Sequence, residues 1–143
     1  LDQVLDEVLV PVAAPSYLAR VGLTGERLAP RALHALSLLD YERFNAHWIS
    51  LDRWFRTVAP DLPPITPHRR YTGYIMTIDA ALRGEGVALG STGLIADHLA
   101  AGRLVPISDD VVRSPYGYYL GRPRDRELSP DARRLHKALL DGR

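Results

Sequence analysis

Between Thr77 and Ser91 the chain reads TIDAALRGEGVALGS, and its hydrophobic period changes in the middle. Residues 74–83 place helix formers or apolar side chains at nearly every position, and Gly84 stands where such a helix should stop. Residues 86–90, GVALG, have the length and composition of a buried strand. Gly84 supplies the left-handed turn that ends the helix, and Gly86 lets the returning backbone lie tight against that helix. At about 100° per residue, Ile75, Met76, Ile78, Ala80, Ala81 and Leu82 go round most of the helix. Such a helix calls for cover on two sides, one of them its own sheet. The Gly-x-Gly is no nucleotide fingerprint, because a fingerprint runs from strand through glycines into helix, and here the order is reversed.

The rest of the chain supplies the partners of that unit. EVLVPVAAP (7–15) reads as a strand closed by Pro15, and SYLARVG as one helical turn stopped by Gly22. RALHALSLLD (31–40) fits a helix or a buried strand equally well. SLDRWFRTVAP (50–60) is a helix with Ser50 or Asp52 as N-cap, and RRYTG after a proline-rich loop is an edge strand. STGLIADHLAAG (91–102) reads as a helix capped by Ser91 or Thr92, RLVPIS and YGYYLGRP as strands, and SPDARRLHKALLDG (129–142) as a helix with Ser129 as N-cap and Pro130 at N1. From residue 74 onward the order is helix, strand, helix, strand, strand, helix, which predicts an α/β sheet with helices packed on it.

Composition narrows the chemistry. At 143 residues, 46% of them hydrophobic, the chain fits one globular domain, and a net charge of +1 advertises neither nucleic acid nor a membrane surface. It contains no cysteine, so disulfides and thiolate metal sites are excluded. The five histidines (34, 47, 68, 98 and 136) show no i,i+3 or i,i+4 pair, so no metal site is expected. No nucleophile elbow links the serines to a histidine and an aspartate, and no cofactor motif occurs, so no enzyme is expected. The RPRDR run (122–126) reads as a solvated basic loop. The start at Leu1, not methionine, suggests a fragment.

Three blocks carry a family resemblance. LVPVAAPSYLA, IDAALRGEGVALGSTGLIADHLAAGRLVPI, and YYLGRP followed by LSPDARRLHKAL resemble the effector-binding domain of LysR-type transcriptional regulators. The likeness is greatest to the glycine-cleavage-activator-like branch, in which A-A-x-x-G-x-G-V-A-L-G precedes L-x-x-G-R-L-V. The resemblance implies a periplasmic-binding-protein-like (type 2) α/β fold, a mixed sheet flanked by helices, with two lobes and a small effector between them. By that analogy residues from about 11 to 119 form the second lobe. Residues from about 120 to 143 are the return strand and the C-terminal helix of a first lobe largely missing here. The DNA-binding helix-turn-helix would lie outside these residues. The resemblance also implies a homo-oligomer through helix 74–83 and the C-terminal helix, a cytoplasmic setting without membrane contact, and DNA contact only through the absent part. The alternative is a solute-binding protein of the same fold in transport.

Ligands of open α/β sheets sit beyond the carboxyl ends of strands, where loops and helix N-termini present N–H groups. Three places qualify. The first is the loop DYERFNAHWIS (40–50), with Asp40, Tyr41 and Trp48 as candidate effector contacts; the plain alternative is that Trp48 and Phe44 plug the base of the following helix. The second is Gly73 and Tyr74, at a helix start that suits a carboxylate or is simply capped. The third is Gly90, Ser91 and Thr92, with Ser91 as an ordinary N-cap the alternative. The expected ligand is a small metabolite, an anion among the options.

Overall fold

The computed structural model describes residues 1–42 and 48–142. Its organising element is β1 (Asp2–Ala13), which runs antiparallel to three strands. Leu9–Val12 pair with β4 (Ala88–Ser91) on one side. On the other side Val12–Ala13 pair with β5 (Val105–Pro106), and Asp2–Leu9 pair with β6 (Val112–Leu120). Beyond β4 lie the parallel strands β2 (Leu39–Tyr41) and β3 (Arg69–Tyr71). A parallel bridge from Leu38 to Val87 joins them to the sheet, with the Leu39 amide donating to the Val87 carbonyl and the Val87 amide to the Ser37 carbonyl, both at 2.8 Å. The sheet is therefore mixed, and its parallel strands β2, β3 and β4 all end at the same edge.

Helices cover both faces, which is why the central strands read as continuous apolar runs and not as an alternation. Leu9, Ala13, Leu38, Val87 and Leu89 point to one face, against α1 (Pro15–Arg20), α2 (Pro30–His34) and α3 (Leu51–Val58), with Trp54 and Phe55 in edge-to-face contact 5.1 Å apart. Val10, Val12, Leu39 and Ala88 point to the other, against α4 (Tyr74–Leu82) and Ile95 just before α5 (Ala96–Ala100). Ala80, Ala81 and Ala88 are fully buried there, so α4 and β4 approach with only methyl groups between them.

The glycines stand where the sequence puts them. Gly84 has φ +79° and closes α4. A Cβ on Gly86 would lie 2.3 Å from the Ser37 carbonyl oxygen, so the tight approach is to the segment leading into β2 and not to α4.

Ile75 (76% exposed) and Met76 (51% exposed) are open within the chain, so α4 is covered on one side only. Its outer arc also carries the exposed Asp79 and Arg83, and at about 100° per residue these four share one quadrant. Half of that arc is charged, and a second cover supplied by a neighbouring subunit lies outside a single chain.

Other boundaries moved for identifiable reasons. β1 begins at Asp2, not Glu7, because the polar-looking start pairs with β6; it ends at Ala13, and Pro15 opens α1. The ambiguous stretch 31–40 is both things, a short helix and then a strand. Ser91 does not cap α5: it ends β4, a four-residue turn follows, and α5 has no side-chain cap. The alternation from residue 74 onward holds throughout, and α6 (Pro130–Asp141) starts as read, with Ser129 Oγ accepting from the Ala132 amide. That helix buries nothing completely; Ala132, His136 and Leu140 form a half-buried stripe toward β1.

Asp40 is a structural residue. Its carboxylate, 2% exposed, accepts from the amides of Tyr41 (2.9 Å), Leu51 (3.1 Å) and Asp52 (3.3 Å), while Ser50 Oγ accepts from the Arg53 amide. Together they satisfy the first amides of α3, which otherwise have no acceptor. Burial raises the Asp40 carboxyl above its ordinary value, outweighing those hydrogen bonds and the charge of Arg70.

Two outcomes follow in denaturant unfolding. Gly86→Ala should destabilise the fold by about 1–3 kcal/mol, since the obstructing atom is backbone. Asp40→Ala should cost about 2 kcal/mol by stranding buried amides, and Asp40→Asn much less, because its amide oxygen still accepts. The pH sign is fixed by the raised carboxyl: the wild type should lose stability relative to Asp40→Asn as pH rises from the unfolded carboxyl value through the folded one.

Candidate functional site

A cavity of about 570 Å³ opens at the carboxyl edge of the parallel strands. That volume suits a small molecule. Its floor is Leu9 and Leu89 from the sheet, and Tyr41 stands at the end of β2. Thr72, Gly73, Tyr74 and Ile75 bring the start of α4 to it, and Trp48 with Ile49 bring the segment before α3. Ser91 and Leu94 close it beyond β4. The remaining wall belongs to the paired ribbon, with Glu7 from β1 and Tyr116, Gly117 and Tyr118 from β6. A larger hollow, about 840 Å³, lies between Leu1, Arg133 and residues 122–128. Its loop residues are almost all exposed and no strand ends point into it, so it reads as surface relief.

Of the residues singled out from the sequence, Tyr41, Trp48, Gly73, Tyr74 and Ser91 meet at this cavity. Asp40, Gly90 and Thr92 do not line it. Asp40 faces the α3 amides. A Cβ on Gly90 would come 2.5 Å from Ile95 Cδ1 and within 3.3 Å of Val12, so this glycine makes room for the core. The Thr92 amide donates to the Val8 carbonyl at 2.9 Å, which ties the turn to β1. Phe44 and His47 lie outside the described residues.

The polar groups of the cavity are held in place by one another. The Tyr41 hydroxyl donates to the Ile49 carbonyl at 2.9 Å, and the Ser91 amide donates to the Tyr74 hydroxyl at the same distance. The two rings meet edge to face, 6.3 Å between centroids. Burial pushes the Tyr74 phenol up to about 12 and raises those of Tyr41 and Tyr118, and the nearby Glu7 charge adds to all three. All three therefore present neutral hydroxyls at physiological pH. The Ser91 hydroxyl is buried without a hydrogen-bond partner, although it stands close enough to Tyr118 to lower that phenol. Gly73 caps α4 without a side chain, so the first amides of that helix, which starts at the cavity, have no side-chain cap. Such an assembly can hold a small molecule by aromatic contact and a few directed hydrogen bonds. Among the described residues no cluster of His, Asp or Glu suits a metal ion.

Sequence reading missed the ribbon wall. Glu7 and Leu9 on β1, and Tyr116 and Tyr118 on β6, are each two apart, which puts each pair on one face of its strand. That spacing was the available signal. Which face meets the cavity depends on pairing between strands about a hundred residues apart, with register shifts at Gln3/Leu5 and Asp6/Val8.

Comparison with known proteins gives the arrangement a family. The model of the LysR substrate binding domain matches residues 1–143. An uncharacterized HTH-type transcriptional regulator of Sinorhizobium fredii, y4mQ, is 31% identical over 139 residues, taking in 95% of this chain and 42% of that protein. The chain thus spans less than half the length of that relative. The effector domain of the transcriptional regulator AmpR of Pseudomonas aeruginosa shares the fold, with a TM-score of 0.70 at 21% identity over 99% of this chain and 63% of that one. So does the regulatory domain of CrgA, a LysR-type regulator from Neisseria meningitidis, with a TM-score of 0.66 at 21% identity over 98% and 66%. These relatives are regulators and not transport proteins. The chain belongs to the LysR substrate-binding domain family and has its periplasmic-binding-protein-like α/β fold.

Proposed function

We propose that the chain is the effector-sensing part of a cytoplasmic DNA-binding regulator, and that the 570 Å³ cavity receives the effector. The observation that carries this is the convergence of Tyr41, Trp48, Tyr74 and Ser91, from separate elements, at the edge where the parallel strands end. Residues 11–119 act as the second lobe, and residues 120–143 return toward the first. The β1–β6 pairing between Asp2 and Leu9 supports this division, since it forms a ribbon leading away from the three-layered body. The effector works by population shift: it stabilises one lobe arrangement through contacts the other lacks, and neighbouring parts of the full protein relay the difference to DNA. No covalent step is involved. Among the described residues no helix is long and apolar enough to cross a membrane.

Two measurements address this reading. A thermal-shift screen of small metabolites should find compounds that raise the melting temperature in proportion to the logarithm of concentration, and Tyr74→Ala should abolish the rise. Failure of every ligand class, with the protein folded, would remove the cavity from consideration.

Homo-oligomerisation is the second part of the proposal. Leu135 (61% exposed) and Leu139 on α6, with Ile75 and Met76 on α4, are apolar positions open to solvent. Static light scattering should give a mass that climbs above 15.9 kDa with concentration, and a Leu135→Glu, Leu139→Glu double variant should lower it. A constant monomer mass at high concentration would overturn this part.

A further inference from the structure

The cavity has a charge of its own. Among its described lining residues Glu7 is the only carboxylate, and no lysine, arginine or histidine accompanies it. Glu7 forms no salt bridge among the described residues. Around it stand aromatic rings, those of Tyr41, Trp48, Tyr74, Tyr116 and Tyr118. Several are open to solvent, Trp48 by 43%. Ring faces carry negative potential and attract cations, most strongly where water is displaced. A carboxylate with no salt bridge among the described residues, beside aromatic rings, presents the chemistry that selects an organic cation.

One feature pulls the other way. The start of α4, with Gly73 as its cap, carries partial positive charge and favours an anion. Magnitudes decide between them. A helix terminus amounts to roughly half an elementary charge, and Glu7 to a full one. At equal distance the full charge outweighs the partial one, so near the carboxylate an anion is repelled and a cation attracted. The carboxylate wins near β1.

Resting on the effector-cavity reading above, we propose that the ligand of this cavity carries an ammonium group, seated beside Glu7 among Tyr41, Tyr74 and Tyr118. The carboxylate supplies the counter-charge, the rings supply the apolar enclosure, and the neutral hydroxyls bind the remaining polar groups of the ligand.

The test uses the 143-residue chain and matched probes: n-butylammonium and tetramethylammonium, butyrate, and n-butanol. The readout is tryptophan emission, to which Trp48 contributes from the cavity and Trp54 from the core, with Trp48→Phe as the blank. The ammonium probes should bind about tenfold more tightly than butyrate, and added salt should weaken them but not butanol. Glu7→Gln, with its fold checked by circular dichroism, should bring the ammonium and butanol affinities together. Tighter binding of butyrate, or an ammonium preference insensitive to both salt and Glu7→Gln, would overturn the charge assignment and leave the cavity as the site. Silence from all four probes would overturn both.

Discussion

The antiparallel pairing of β1 with β4, β5 and β6 is the contact on which the rest depends. Residues Leu9–Ala13 are almost completely enclosed, with alternate side chains feeding the two cores. The same strand, seven residues earlier, leaves the body and pairs only with β6. One continuous segment therefore serves as the centre of a three-layered unit and as half of a two-stranded ribbon. The cavity lies where those roles change over, between Leu9 of the body and Glu7 of the ribbon. A ligand there touches both.

The site itself is built from strand ends and held by backbone. Ile49 and Ser91 offer a carbonyl and an amide to the hydroxyls of Tyr41 and Tyr74, so two aromatic side chains are fixed without using a charged group. Asp40, the residue before Tyr41, is occupied with the amides of α3. It shapes the cavity at one remove, by fixing the course of the chain into that helix. Specificity is then left to the side chains that face the opening.

Much of this could be read from residue order. The helix, Gly-x-Gly and strand of 74–91, the cap at Ser129 and the alternation after residue 74 follow from local chemistry, and local chemistry is visible in one dimension. Five of the eight residues chosen as effector contacts line the cavity, because strand ends are where open sheets leave room. The failures share a cause. Asp40 and Thr92 looked like site residues because they follow strands, but the partners they found, the α3 amides and the Val8 carbonyl, belong to distant segments. Tyr116, Tyr118 and Glu7 were missed because a two-residue spacing gives a face, and only the ribbon's irregular register says which way it looks.

The layer of alanines beneath α4 acts as a spacer of fixed thickness. Ala80, Ala81 and Ala88 set how closely the helix lies on β4. Tyr74 heads that helix and Ser91 ends that strand, and a hydrogen bond joins them. A single added methylene in the spacer would lift the helix while leaving the strand in place, and would open that bond from a position remote from any ligand. The depth of the cavity is thus set partly by residues that do not line it.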